Sequence, residues 1–243
     1  MDPVAFTILG RDIRWYGILI AGAVLIGALL AMRESKRKGL NEELLIDFLL
    51  FAIPTAIVGA RLYYVIFSWD YYSNNPGQIL NIMGGGLAIH GAIIAGVIVA
   101  IIFTKVKKIS LWKLLDIVAP SLVLGQAIGR WGNYANQEAH GGPTDLPWGI
   151  MIDGVKVHPT FLYESIFNIM IFVFLMWYRK KSKIDGEIFL LYFSLYSLGR
   201  FFIEGLRTDS LMLGSVRVAQ LISVLVIIIC VIILYNRRKK VNM

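Results

Sequence analysis

Seven runs of mostly apolar residues, each about as long as a bilayer is thick, limit what this chain can fold into more than any other feature. They lie at roughly 14 to 32, 43 to 67, 86 to 104, 112 to 129, 160 to 178, 187 to 206 and 215 to 235, the second and sixth interrupted by charged residues. A helix needs ~20 such residues to cross a hydrocarbon core of ~30 Å. Barrel strands would be shorter and would alternate apolar with polar. Lipid offers no partner to backbone N–H and C=O groups, so continuous runs of this length are helices. The composition agrees: 57% of the 243 residues are hydrophobic, 16% are charged and the mean hydropathy is +0.68. A soluble domain of this length needs far less apolar surface. The expected fold is an all-α integral membrane protein with seven transmembrane helices, a single polytopic domain over residues 1 to 243.

The net charge of +8 raises nucleic acid as a partner, but its distribution argues against one. Fifteen of the 24 lysines and arginines fall in four clusters: "RESKRK" at 33 to 38, "KVKK" at 105 to 108, "RKKSK" at 179 to 183 and "RRKK" at 237 to 240. These follow the first, third, fifth and seventh runs, which all end on one side of the membrane. The positive-inside rule makes that side cytoplasmic, with the N-terminus outside and the C-terminus inside. The opening "MDPVAFTILGRDIRWYG" lacks the basic segment and apolar core of a secretory signal, so no cleaved leader is expected. The one cysteine, Cys230, sits among isoleucines and is expected to be packing. No repeat or internal symmetry of the transporter kind is present. A small external head is expected between the fourth and fifth helices, about 130 to 159, where the alternating "WGIMIDGVKV" suits a hairpin turning at Asp153 and Gly154.

Placed by helix direction, the polar residues of the spans share one depth. Arg61 lies near the outer end of the second run, His90 just inside the third, and Arg130 closes the fourth. Glu164 opens the fifth, and Arg200 with Glu204 sits near the outer end of the sixth, with Arg207 on the same face at i+7. A charge at a helix centre costs roughly 2.5 to 3.5 kcal/mol on insertion scales, so such residues face a bundle interior and have partners. Any one arginine alone is as easily a snorkelling anchor, and Arg200 with Glu204 as easily a plain i,i+4 ion pair. Five helices delivering charge or imidazole to the outer third of the bilayer point to a polar cavity. Guanidinium groups present a planar fork of donors that fits phosphate oxygens, and a phosphate at that depth is most simply a phospholipid headgroup. No GxSxG, HExxH, paired CxxC or GxxxxGK[ST] motif occurs, and the three histidines are scattered, so neither metal nor cofactor is expected.

The stretch "GRWGNYANQEAHG" at 129 to 141 resembles the signature of the bacterial prolipoprotein diacylglyceryl transferases, through Gly129, Arg130, Asn133, Tyr134, Asn136, Glu138 and Gly141. The likeness continues in "RWYG" at 14 to 17, "GARLYYV" at 59 to 65, "GGLAIHG" at 85 to 91, "HPTFLYE" at 158 to 164 and "GRFFIEGLR" at 199 to 207. It implies an enzyme of the bacterial plasma membrane, active near the outer leaflet. Such an enzyme moves the diacylglyceryl group of phosphatidylglycerol onto the lipobox cysteine of a prolipoprotein and releases glycerol phosphate. The partners implied are therefore membrane lipid and a signal-peptide segment, with no nucleic acid. By resemblance the functional set is Tyr16, His90, Arg130, Asn133, Glu138, Gly141, Arg200 and Glu204.

The chemistry would be an alkyl transfer in which the substrate supplies the nucleophilic thiol. A thiol of pKa ~8.5 is only a few per cent ionised at neutral pH, so a base helps. His90 is the candidate, with Glu138 or Glu204 as alternatives. Arg130 and Arg200 would stabilise the departing phosphate. Asn133, Asn136, Tyr16, Gly141, Arg61 and Arg207 would hold the headgroup, and Glu164 would be a structural ion partner. A lipid or anion transporter, or a structural membrane subunit, would be the competing classes. Transport would continue polar residues to the inner side, where only Asp47 and Asp116 are found near helix ends.

Overall fold

The computed structural model describes residues 2 to 8, 10 to 82 and 85 to 241. Its helices are α1 (Trp15–Arg37), α2 (Glu42–Phe67), the short α3 (Trp69–Asn74), α4 (Ile89–Val106), α5 (Leu111–Ala135), α6 (Thr160–Tyr178), α7 (Glu187–Glu204) and α8 (Val218–Val241). Six of them, all except α3 and α7, are long and apolar enough to cross a membrane, so the chain is a multi-pass membrane protein. The sixth run expected from the sequence is α7, a helix of 18 residues that carries Glu187, Arg200 and Glu204, and it falls short of the apolar character of the six. Large apolar side chains lie open along the six, among them Leu25, Leu50, Phe51, Val106 and Val173. That is the surface expected where the solvent is lipid.

The chain divides into two compact units, one made of Met1–Ala31 with Leu115–Met243 and the other of Met32–Leu114. In the smaller unit α2 packs along α4 through small residues. A Cβ on Gly91 would lie 2.1 Å from the carbonyl oxygen of Gly59, and one on Gly59 would lie 2.5 Å from the Ala95 Cβ. Close backbone approach is what glycine and alanine supply between helices in lipid. By contrast, a Cβ on Gly22, Gly96 or Gly125 would meet nothing within 4 Å.

In the larger unit α5, α6 and α7 bury Ala119, Val123, Ile171, Leu175, Ile188 and Tyr192 between them. Asp116, 1% exposed, accepts the backbone N–H groups of Gly186 and Phe189 at 2.9 and 3.0 Å. Gly186 has no side chain with which to cap α7, so a residue of α5 satisfies donors at its N-terminus. At the same end Glu187 accepts from Tyr178 Oη, Ser182 Oγ, the Lys183 N–H and Arg238, tying the basic end of α8 to the loop between α6 and α7.

Among the described residues there are also three two-stranded hairpins. The pair β3 (Ile150–Ile152) and β4 (Val155–Val157) turns at Asp153 and Gly154, with φ of +49° and +79°. This is the hairpin its alternating sequence foretells, with both turn residues left-handed. The pair β1 (Val4–Ile8) and β2 (Arg11–Arg14) precedes α1, and β5 (Met212–Leu213) with β6 (Val216–Arg217) precedes α8.

Candidate active site

The motif at 129 to 141 begins as helix. α5 runs six residues past the end expected from apolarity, through "WGNYA", and stops in a Schellman turn. Gln137 takes a left-handed φ of +54°, its N–H reaches the Tyr134 carbonyl, and the Glu138 N–H reaches the Asn133 carbonyl. Those are the two bonds that satisfy orphan carbonyls at a helix end. The turn brings Glu138 back over the helix, where its Oε1 accepts from Asn133 Nδ2 at 2.9 Å and Asn136 Nδ2 at 3.4 Å. Asn133 in turn accepts from Arg130 Nη1 at 3.4 Å. The asparagines thus link the motif's arginine to its carboxylate.

Glu164 is the hub. It is 4% exposed on the second turn of α6, and three arginines from different parts of the unit converge on it. Arg130 Nη2 lies 2.6 Å from Oε2, Arg200 Nη1 2.9 Å from Oε1 and Arg207 Nη1 3.4 Å from Oε1. Each guanidinium also has an acceptor of its own. Arg130 has Asn133. Arg200 has Glu204, 2% exposed, with Nη2 2.6 Å from Oε2 in an ionic contact that is not an aligned hydrogen bond. Arg207 has Asp209, held through Nε and Nη2 at 2.9 and 2.6 Å.

The three arginines are not equivalent. The Arg130 and Arg200 side chains keep 21% and 22% of their surface open, while Arg207 keeps 9% and has its fork filled by Asp209. Burial would push the Asp209 carboxyl up, but the hydrogen bond and charge of Arg207 outweigh it and hold that carboxyl below the ordinary range. Arg130 and Arg200 therefore remain able to receive an anion, and Arg207 anchors its loop.

Close packing brings the rest of the motif together. A Cβ on Gly132 would lie 2.4 Å from the Tyr16 ring, so that ring packs directly against α5. Trp131 donates to Ser165 Oγ at 3.1 Å, and Ser165 donates to the Ala127 carbonyl at 2.9 Å, fastening α5 to α6 beside Glu164. Gly141 is buried between the Leu206 carbonyl and His158, where a Cβ would sit 2.9 and 2.7 Å from the Leu206 oxygen and the His158 Cβ. Its N–H bonds the His158 carbonyl and that of Gly142 bonds Leu206, joining the motif to the segment that carries Arg207. The close approach that Gly141 permits is thus to the chain's own backbone. His140 and His158 contact the Gly141 carbonyl and Tyr163 Oη. Among the described residues no group of three or more His, Cys, Asp and Glu side chains is placed to hold a metal.

Arg61 and His90 belong to the smaller unit. Arg61 is 7% exposed and donates to the carbonyls of Gln78, Ile79, Gly85 and Gly86 at 2.6 to 2.9 Å. Four of its five N–H groups hold the loop after α3. The missing Cβ of Gly86 makes room for it, since one there would lie 2.5 Å from Nη1. His90, exposed in the first turn of α4, has its ring 5.7 Å from that of Tyr63.

Residues 3 to 236 match the family model for prolipoprotein diacylglyceryl transferase. The chain belongs to that family. Similar proteins include the phosphatidylglycerol–prolipoprotein diacylglyceryl transferases of Clostridioides difficile and Finegoldia magna. The first is 55% identical over 94% of this chain and 92% of its own length, the second 53% over 99% and 98%. That of Listeria welshimeri is 50% identical over the whole chain and 92% of its own length. Two accessible guanidiniums held on one buried carboxylate are chemically suited to an oxyanion such as phosphate.

Glu164 is the member whose centrality sequence reasoning missed. It is read there as an ion partner of second rank, because nothing in "HPTFLYE" shows that three arginines will meet on one carboxylate. The signal was charge counting: Arg61, Arg130, Arg200 and Arg207 outnumber Glu164 and Glu204 at one depth, which favours a shared carboxylate.

Proposed function

We propose that this protein transfers the diacylglyceryl group of phosphatidylglycerol to the lipobox cysteine of prolipoproteins, the first step of bacterial lipoprotein maturation. The observation that carries the reading is the pair of partly open guanidiniums, Arg130 and Arg200, anchored on buried Glu164 in a chain of this family. Arg200 already donates to this carboxylate and Arg130 is in ionic contact with it, so they need little reorganisation to hold a second oxyanion. Preorganised donors of this kind favour a transition state that gathers negative charge.

In the proposed step the thiol sulfur attacks the glycerol carbon that bears the phosphate ester. The C–S bond forms, the C–O bond breaks and the electron pair leaves on phosphate oxygen as glycerol phosphate. Arg130 and Arg200 hold that oxyanion, and Asn133, Asn136 and Tyr16 orient the headgroup. Glu138 and Glu204 fix the arginines, Arg207 and Gly141 order the loop, and Arg61 keeps the loop at 78 to 86 in place with one N–H to spare. The thiol proton goes to His90, an assignment that rests on the resemblance. Imidazole titrates near neutrality and so suits this exchange.

The reading places α7 across the membrane as well, its charges tolerated because they are paired. Four basic clusters at the C-terminal ends of α1, α4, α6 and α8 support a cytoplasmic C-terminus and an N-terminus outside. On this reading the membrane is the plasma membrane, which the bacterial origin of the relatives supports, and the site faces the outer leaflet, where an exported cysteine arrives. Purified protein given labelled phosphatidylglycerol and a lipobox peptide should form a thioether. His90→Gln should lower transfer at neutral pH and shift its pH profile, and unchanged transfer would return the base to Glu138 or Glu204.

A further inference from the structure

One turn deeper than the ion cluster, each of three helices carries a polar side chain. Gln126 precedes Arg130 by four residues on α5, Asn168 follows Glu164 by four on α6, and Tyr196 precedes Arg200 by four on α7. α6 starts at the end of the unit where α5 and α7 finish, so in all three cases the step leads about 6 Å further in. This layer contains a small cavity lined by Glu164, Asn168, Tyr196 and Arg200, with Phe167 and Gly199 as apolar walls. The space open to the centre of a water-sized sphere is about 10 Å³. That is about what one water molecule requires.

Asn168 is 2% exposed, and its Nδ2 has no hydrogen-bond partner within the protein. A buried amide donor left unpaired is costly, and a leucine of similar shape would avoid the cost. We propose that the cavity is a binding site for a single ordered water. The water accepts from Asn168 Nδ2 and donates to the Glu164 carboxylate, with Tyr196 and Arg200 as its other polar neighbours. Asn168 is then a positioning residue: through the water it fixes the carboxylate on which Arg130, Arg200 and Arg207 are gathered. The functional half of this inference rests on the proposed use of those arginines, and the water site itself does not.

A structure of the full-length protein at a resolution that shows ordered solvent should place water density within hydrogen-bond reach of both Asn168 and Glu164, and a dry cavity overturns the site. Kinetics on two variants test the positioning role. Asn168→Leu keeps the branched shape but removes the donor, and kcat/KM for transfer should fall about tenfold or more. Asn168→Ser is smaller but leaves a hydroxyl and room for a second water, and it should recover to within about threefold of wild type. A packing role gives the opposite order, leucine tolerated and serine impaired, and that order overturns the positioning role. Melting curves on both variants confirm that folded protein is being assayed. Wild-type protein without any transferase activity would remove the functional reading and leave the solvent density to decide the site.

Discussion

Replacing Glu164 by glutamine removes one negative charge and leaves three guanidiniums without the group they share. Opposite charges about 4 Å apart attract by roughly 4 kcal/mol at an effective dielectric of 20. Three such pairs cannot simply be added. Arg130 and Arg200 are about a fifth open to their surroundings, and each arginine retains Asn133, Glu204 or Asp209. Breaking a buried pair typically costs about 3 to 5 kcal/mol, and the retained partners together with the glutamine carbonyl put this case near 3. If that much positioning is lost from the transition state, the rate falls about 10²-fold. The assay is transfer of labelled diacylglyceryl to a lipobox peptide by Glu164→Gln, with Glu164→Asp as the variant that keeps the charge one methylene further away. Glutamine should lose about 10²-fold in kcat/KM and aspartate should recover part of it. Wild-type turnover in Glu164→Gln would refute the claim that this carboxylate sets the arginine geometry.

Other outcomes follow from the same contacts. Arg130→Lys and Arg200→Lys keep the charge but lose the fork, and each should reduce kcat/KM by about 10²-fold or more in folded protein. Gly132→Ala places a Cβ 2.4 Å from the Tyr16 ring and should cost about 1 to 3 kcal/mol with a raised KM for lipid, read by melting and by kinetics. Asp116→Ala leaves the Gly186 and Phe189 N–H groups unpaired and should lower stability by about 1 to 3 kcal/mol while kcat is nearly kept. The Asp209 carboxyl is held low by Arg207, so its contribution is present above the unfolded value near ~3.9 and is lost as pH falls through the folded value. Hydrogen exchange in the loop at 205 to 211 should therefore rise only below about pH 4, and Asp209→Asn should show the raised exchange at every pH.

The membrane class, the site motif and the β3–β4 hairpin are legible in the chain because each is a local pattern. A run of twenty apolar residues, a glycine-flanked Arg, Asn and Glu spacing, and a "DG" turn between alternating residues carry their meaning without tertiary context. The N-terminal hairpin is not foreseen, although "VAFTI" alternates and Gly10 can take its φ of +74°. The end of α5 is misjudged because apolarity stops at Gly129, whereas the helix is continued by packing of Gly132 on Tyr16 and by the Trp131 to Ser165 bond. Arg61 looks like a ligand-binding arginine from its depth alone, and only the placement of four loop carbonyls around it reveals a clamp. Glu164 is the same kind of case, since which of several carboxylates sits at the centre of a cluster depends on how helices pack.

The central claim is that Arg130 and Arg200 stabilise phosphate departure during thioether formation. The most direct measurement follows glycerol phosphate release and peptide thioether together, with and without acceptor thiol, in wild type, Arg130→Ala and Arg200→Ala. The account predicts equimolar products that need the thiol and a loss of at least about 10³-fold in both variants. Release of glycerol phosphate without a thiol, or near-normal thioether formation in either variant, would contradict it.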